Sequence, residues 1–279
     1  MPNVRYGVLS DVHANLHALR AAFERLDGLG VNSYLFAGDA VGYGVFPNEC
    51  VDMLRSRGAV CVAGNHDLMA LGALGAEEAS ARAWDTVLWT RDRLTDDTRA
   101  FLRRLPLVAQ IDGVTVAHGS LDDVSHYVQK AADARRELDR LPGPGVLVLG
   151  HTHLPWAFEY DNGTMLRAAP GVVALRAGTR VLLNPGSVGQ SRDRLPHVRF
   201  AVLDTDAGSA ELHSVPYDLE SCLRALHEEG RPAHAAHRPP QPVRDRYRAG
   251  LVLARRAAGR ARRVVAVPFR SVRSRADER

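Results

Sequence analysis

Residues 4–13 read VRYGVLSDVH, an apolar and β-branched run that stops abruptly at Ser10-Asp11-Val12-His13. A short run of this kind bounded by small polar residues is a strand pattern. The pattern recurs at 33–37, 59–63, 114–117, 146–149 and 181–183, each run ending in glycine, Asp, Asn or His. Between the early strands, Leu16, Leu19, Phe23 and Leu26 repeat at spacings of three and four until Gly28 and Gly30 stop them, so the chain begins with β-α-β units. Further on, hairpins replace crossovers. Segments 108–111 and 114–117 flank Asp112-Gly113, and segments 157–160 and 164–167 flank Asp161-Asn162-Gly163, both turn chemistries that reverse a strand. From 77 to 105 two helices are expected, with Trp84, Leu88, Phe101 and Leu102 as core anchors and a capped break at 95–97. Asp218 caps a last helix that runs to 229. These elements predict an α/β fold with mixed sheets.

At 279 residues and 46% apolar composition the chain can bury a sizeable core. The N-terminus lacks a basic segment followed by a long apolar one, and no window of ~18 uncharged apolar residues occurs, which reads as a cytoplasmic protein without a transmembrane segment. Cys50, Cys61 and Cys222 are an odd set without CxxC spacing; buried free thiols are expected, not disulfides or a thiolate zinc site. Charge is distributed unevenly. Residues 231–279 hold 14 Arg against Asp245, Asp277 and Glu278, a net of +11, so the overall +4 leaves −7 for residues 1–230. Segment 218–230 is expected to dock on the 1–217 domain, and 231–279 to be a Pro/His-rich linker and an Arg-rich tail. Such a tail could contact nucleic acid or an anionic surface, although Tyr247 and Phe269 alone do not make a stacking platform.

The strand ends carry the chemistry. Asp11 and His13, Gly38-Asp39, Gly64-Asn65-His66-Asp67, His118-Gly119 and Gly150-His151-Thr152-His153 each follow a strand, where crevices form in α/β sheets. Taken singly, each has an ordinary reading as a cap, a turn or a packed histidine. Together they are an oxygen and nitrogen donor set without sulfur, suited to Mn, Fe, Zn, Ni or Co. Residues two apart in an extended segment point the same way, so Asp11 with His13, and His151 with His153, can chelate. Asp11, His13, Asp39, Asn65, His118, His151 and His153 are seven donors, too many for one ion that must keep an open position. Two ions ~3.5–4 Å apart would use them all, hold a bridging hydroxide and clamp an in-line phosphoryl displacement.

The series DxH, GD, GNHD, H, GHTH, in this order over most of the first 155 residues, resembles the calcineurin-like metallophosphoesterase superfamily. The resemblance implies a four-layer α/β sandwich, two mixed sheets face to face with helices outside. It implies one divalent site of Asp11, His13, Asp39 and His153 and another of Asp39, Asn65, His118 and His151, with Asp39 bridging. His66 would stay unligated and donate a proton to the leaving group, and Asp67 would orient it or brace the loop. Gly38 to Gly44 and Asn184 to Gly189 resemble stretches of a subgroup of small bacterial and archaeal phosphoesterases, which makes Tyr43, Gly44 and Ser187 candidates for substrate contact. Arg192 and Arg194 could meet a phosphate, whereas His17, His126, His197, His213, His227, His234 and His237 match no block. The function implied is dinuclear hydrolysis of phosphodiesters, cyclic nucleotides among them, or of phosphomonoesters, most naturally with Mn. The alternatives are a protein serine/threonine phosphatase, a dinucleoside-polyphosphate hydrolase and, outside the enzymes, a scaffold that has lost its metals.

Overall fold

Alternation along each strand decides which layer its side chains enter. The computed structural model describes residues 4–160, 165–167 and 171–240. The first part of the chain runs β1 (Arg5–Leu9), α1 (Leu16–Gly28), β2 (Ser33–Phe36), α2 (Pro47–Ser56), β3 (Val60–Cys61), α3 (Asn65–Ala70), α4 (Ala81–Arg93) and α5 (Asp96–Arg104). It continues through β4 (Val108–Ile111), β5 (Val114–Ala117), α6 (Ala131–Asp139), β6 (Gly145–Val148), β7 (Pro155–Glu159), β8 (Met165–Arg167) and β9 (Gly171–Ala174). It ends in β10 (Arg180–Pro185), β11 (Val198–Asp204), β12 (Ser209–Val215) and α7 (Leu219–Glu228).

The strands form two mixed six-stranded sheets, ordered β3-β2-β1-β11-β12-β9 and β4-β5-β6-β10-β7-β8. In the first, β1, β2 and β3 are parallel and β11 is antiparallel to β1. In the second, β5, β6 and β10 are parallel and flanked by antiparallel neighbours. Tyr6 and Val8 of β1 meet Val146 and Val148 of β6 in the layer between the sheets. Leu9 faces the other way, onto α1 and α2 with Phe23 and Leu54, and Leu147 and Leu149 pack beneath α6 with Leu138. The result is the four-layer sandwich, helices outside two facing sheets. Each fully buried Val or Leu contributes about 1.5–3 kcal/mol to it.

The Asp-Gly hairpin joins β4 and β5 as predicted, Ile111 pairing with Val114. The turn expected at 161–163 lies outside the described residues, as does the tail from 241 onward, although β7 and β8 do pair antiparallel. The three cysteines are free and buried. No helix among the described residues is long and apolar enough to cross a membrane.

Three expectations need correction. Strands β9, β11 and β12 were not predicted, yet β11 is buried along its whole length at the middle of the first sheet. Helix α4 faces the core through Ala83, Thr86, Val87 and Thr90, while Trp84 is half-buried and Leu88 is 43% exposed. Bulk misled there, because the face that α4 buries is made of small and β-branched residues. The segment after α7, expected as a linker, docks instead: Ala235 and Ala236 are buried with Tyr43, Cys222 and Leu226, and Gln190 Nε2 donates to the His234 carbonyl at 2.9 Å. Alanines cost little side-chain entropy when buried, so this stretch packs despite its prolines.

Candidate metal centre

Five loops converge at the carboxyl ends of β1, β2, β3, β5 and β6. Asp11, His13, Asp39, Asn65, His118, His151 and His153 are all buried there, none more than 4% exposed. Their backbone is unusual. Asp11, His13, Asp39, Tyr43, His151 and His153 all adopt left-handed conformations, with φ from 49° to 64°, a region that costs a non-glycine residue about 1 kcal/mol or more and concentrates at functional sites. Backbone hydrogen bonds hold these turns in place, Asp11 N to Gly38 O at 3.0 Å and His13 N to Asp39 O at 3.0 Å.

Each carboxylate spends one oxygen on the protein and keeps the other free. Asp11 Oδ2 accepts from Ser10 Oγ at 2.7 Å and from His151 N at 3.0 Å. Asp39 Oδ1 accepts from His66 N at 2.8 Å. Asp11 Oδ1 and Asp39 Oδ2 are buried without any hydrogen-bond partner. Asp11 Oδ1 lies 3.3 Å from His153 Nε2 and 3.7 Å from His13 Nε2. Asp39 Oδ2 lies 3.6 Å from His13 Nε2 and 3.2 Å from His118 Nε2, between the two halves of the cluster.

The imidazoles are oriented from behind. His13, His118 and His153 turn Nδ1 to the carbonyls of Val41, Ala37 and Gln190 at 3.2, 2.6 and 2.6 Å, and His151 turns Nε2 to the Ser125 carbonyl at 3.1 Å. A carbonyl only accepts, so the proton of each neutral ring sits on the outward nitrogen and a lone pair points inward. His13 Nε2 and His153 Nε2 then face one another at 3.1 Å, a repulsive arrangement unless a cation lies between them and the orphaned carboxylate oxygens. The donor set therefore fits metal. Groups able to hold an ion are Asp11, His13 and His153; Asp39, His118 and His151; and His13, Asp39 and His66, with ligand atoms of each group within 4.8 Å of one another. Asn65 joins the second of these, its Oδ1 3.1 Å from His118 Nε2.

Without metal, protons take part of that load. Burial would lower His118, but Asp39 and Asp11 outweigh it and carry the ring up to about 10. Asp39 is buried too, yet His118 and His66 hold it well below the usual carboxylate range, whereas burial pushes Asp11 up. Burial drives His13 and His153 well below an ordinary histidine and His66 down to about 4.

The remaining predicted residues divide. His66 is 5% exposed, with its ring 4.7 Å from that of Tyr43 and 4.8 Å from that of His13. The Asp67 carboxylate accepts from the backbone of Asp39, Gly64 and Val41 at 2.9, 2.9 and 3.1 Å, which braces two ligand loops. Gly44 gives its N–H to the His13 carbonyl at 2.9 Å. Ser187 Oγ donates to Asp11 O and accepts from Gln190 N, both at 2.8 Å. Both donors are thus engaged within the protein, and Tyr43 is the member of that trio set against the cluster. Tyr127 was not anticipated; its ring lies 3.9 Å from that of His151, and only its place between the GHTH loop and Arg192 marks it. Of the seven histidines set aside, none belongs to a metal group among the described residues.

Gly64 φ is −99°, so the need for glycine there is steric. A Cβ would overlap Asp39 Oδ1 and the Asp39 backbone nitrogen. Gly64→Ala is expected to lose about 3 kcal/mol of stability, the upper range for an overpacked site, and to bind less metal. Urea unfolding and elemental analysis read both; unchanged values would mean that the Asp39 turn is free to move.

A model of the calcineurin-like phosphoesterase superfamily domain matches residues 4–208. The chain belongs to that superfamily. An uncharacterized protein of Methanocaldococcus jannaschii is 28% identical over 221 residues, 78% of this chain and 90% of that protein. Among solved structures, a metallophosphoesterase from Sphaerobacter thermophilus is similar at a TM-score of 0.74 and 32% identity, covering 84% of this chain and 97% of that one. A hypothetical protein from Pyrococcus horikoshii OT3 shares the fold, with a TM-score of 0.67 at 18% identity over 84% of this chain and 96% of that one. For a superfamily of calcineurin-like phosphoesterases, the clustered Asp and His side chains are consistent with a divalent metal centre and a phosphoester substrate.

Proposed function

We propose that this phosphoesterase is a cytoplasmic, dinuclear metal-dependent hydrolase of phosphodiesters or phosphomonoesters. The observation that carries the reading is the pair of orphaned, buried oxygens, Asp11 Oδ1 and Asp39 Oδ2, ringed by inward imidazole nitrogens. Asp11, His13, Asp39 and His153 would hold one ion, and Asp39, Asn65, His118 and His151 the other. When bound, such ions polarise a phosphoryl group and lower the pKa of an attacking water.

The chain's own part is placement. Asp39, fixed by its Oδ1 bond to His66 N–H, serves both halves. Asp67 locks the turns that carry Asp39 and Gly64. His66, with Nδ1 buried and unpartnered, donates to the leaving oxygen, and Tyr43 walls the same side. Mn is the favoured metal, with Fe, Zn, Ni or Co as alternatives for this nitrogen and oxygen donor set.

Protein loaded with Mn is expected to cleave p-nitrophenyl phosphate or its bis ester, and chelation to bring the rate to background. A metal-free rate equal to the loaded one would overturn the reading. A panel of cyclic nucleotides, dinucleoside polyphosphates and phosphopeptides separates the diesterase from the polyphosphate hydrolase and the protein phosphatase. Failure to take up metal from excess Mn would favour a scaffold, a reading against which the intact donor set stands.

A further inference from the structure

Among the described residues, Arg192 is a cation without an ion-pair partner at the edge of the centre. Its guanidinium donates to two neutral acceptors, Nη1 to Tyr127 Oη at 3.3 Å and Nη2 to Gln190 Oε1 at 3.5 Å, while Nε is buried without a partner. The adjacent carboxylate, Asp193, is occupied by Arg199 Nη2 at 2.6 Å, and no described carboxylate forms an ion pair with Arg192. Arg194, by contrast, points to solvent. Arg192 as a whole is half-buried, and a guanidinium partly withdrawn from water usually pairs with an acid, because an unpaired charge taken out of water is costly.

Its anchors tie it to the metal ligands. The Tyr127 ring lies against His151, and the Gln190 backbone carbonyl receives the His153 Nδ1 proton. Arg192 is therefore one residue removed from both histidines of the GHTH block, through the Tyr127 side chain to His151 and through Gln190 to His153. Its charge reaches Asp11, His13, His66, His153 and Tyr43. Arginine keeps its proton at any physiological pH, so the guanidinium is charged. Tyr127, accepting from Arg192, keeps its own O–H free to donate. Two donors at one rim, neither paired with a described carboxylate, describe a place for an anion.

We propose that Arg192, positioned by Tyr127 and Gln190, binds a non-bridging oxygen of the substrate phosphoryl group and favours terminal, doubly charged phosphates over diesters. The inference rests on the dinuclear phosphoesterase reading above. Two divalent ions held by two carboxylates leave the centre positive, and Arg192 adds to that excess. A dianion gains more from the added charge than a monoanion does, and the planar fork of arginine matches two phosphoryl oxygens.

The test uses Mn-loaded, full-length protein and inorganic phosphate as the probe, with binding followed by calorimetry. Arg192→Ala is expected to weaken phosphate binding about 10- to 100-fold, the span of a charge-assisted contact, with metal content unchanged. Arg192→Gln, which keeps a donor for Tyr127, guards against misfolding and should weaken binding likewise. Arg192→Lys should fall between, and Arg194→Ala should match the parent. In turnover, Arg192→Ala should raise KM for p-nitrophenyl phosphate more than for its bis ester. Unchanged phosphate affinity in both neutral variants would overturn the assignment, and equal losses on both esters would overturn the preference for terminal phosphates. A parent protein that binds phosphate through Arg192 yet hydrolyses neither ester would instead refute the enzymatic reading alone.

Discussion

Asp39→Asn is expected to lower hydrolysis of p-nitrophenyl phosphate about a thousandfold, an effect of roughly 4 kcal/mol on the barrier, and to lower metal content in both halves of the centre. The reason is the position of one oxygen. Asp39 Oδ2 is buried, has no hydrogen-bond partner, and stands 3.6 Å from His13 Nε2 and 3.2 Å from His118 Nε2. Asparagine can keep the other contact, because its amide oxygen still accepts from His66 N–H, the bond that Oδ1 makes at 2.8 Å. What then faces the cluster is an NH2 group, a donor where a lone pair is required, and the shared negative charge is gone. The substitution preserves shape while reversing the polarity of a single atom, so the fold should survive. Elemental analysis after exhaustive dialysis separates the two consequences. Full metal with full rate would show that Asp39 bridges nothing.

Much of this centre was legible in the sequence because its donors fall where apolar runs end. Short apolar and β-branched runs located β1, β5 and β6, and the residues following them supplied Asp11, His118 and His151. Strand β11 escaped although its run, Val198–Asp204, also ends in Asp, because Arg199 interrupts the apolar stretch at its second residue. Helix α4 was found in the right place with the wrong face inward, since size, which favours Trp84 and Leu88, was read in place of spacing. The left-handed turns at Asp11, His13, Asp39, His151 and His153 are imposed by contacts between loops and have no local signature in residues that are not glycine. For the same reason Arg192 looked like one arginine among many. Its distinction, the lack of an acid partner, exists only once Arg199 has taken Asp193.

His66→Ala is the sharper test of mechanism, since it should separate chemistry from metal binding. The four histidines set around the free carboxylate oxygens each have one nitrogen against a backbone carbonyl. His66 does not; its Nδ1 is buried and unpartnered, beside the space that Gly42 leaves by lacking a Cβ. The contact to Asp39 comes from the His66 backbone N–H, which alanine retains, so the Asp39 turn should be unaffected. Burial brings the ring down to about 4, so at neutral pH it is neutral and offers a single N–H to the leaving oxygen. Loss of such a donor costs about 10²- to 10⁴-fold in kcat, with KM little changed. The loss should grow with the basicity of the leaving group: p-nitrophenolate departs with little help, whereas a phenyl or alkyl ester depends on the donor. His66→Gln, which restores an N–H, should recover part of the rate on the poorer esters. Two results would remove His66 from this role. One is a defect identical across leaving groups; the other is a metal equivalent lost with the side chain, which would make His66 a ligand in the group it forms with His13 and Asp39.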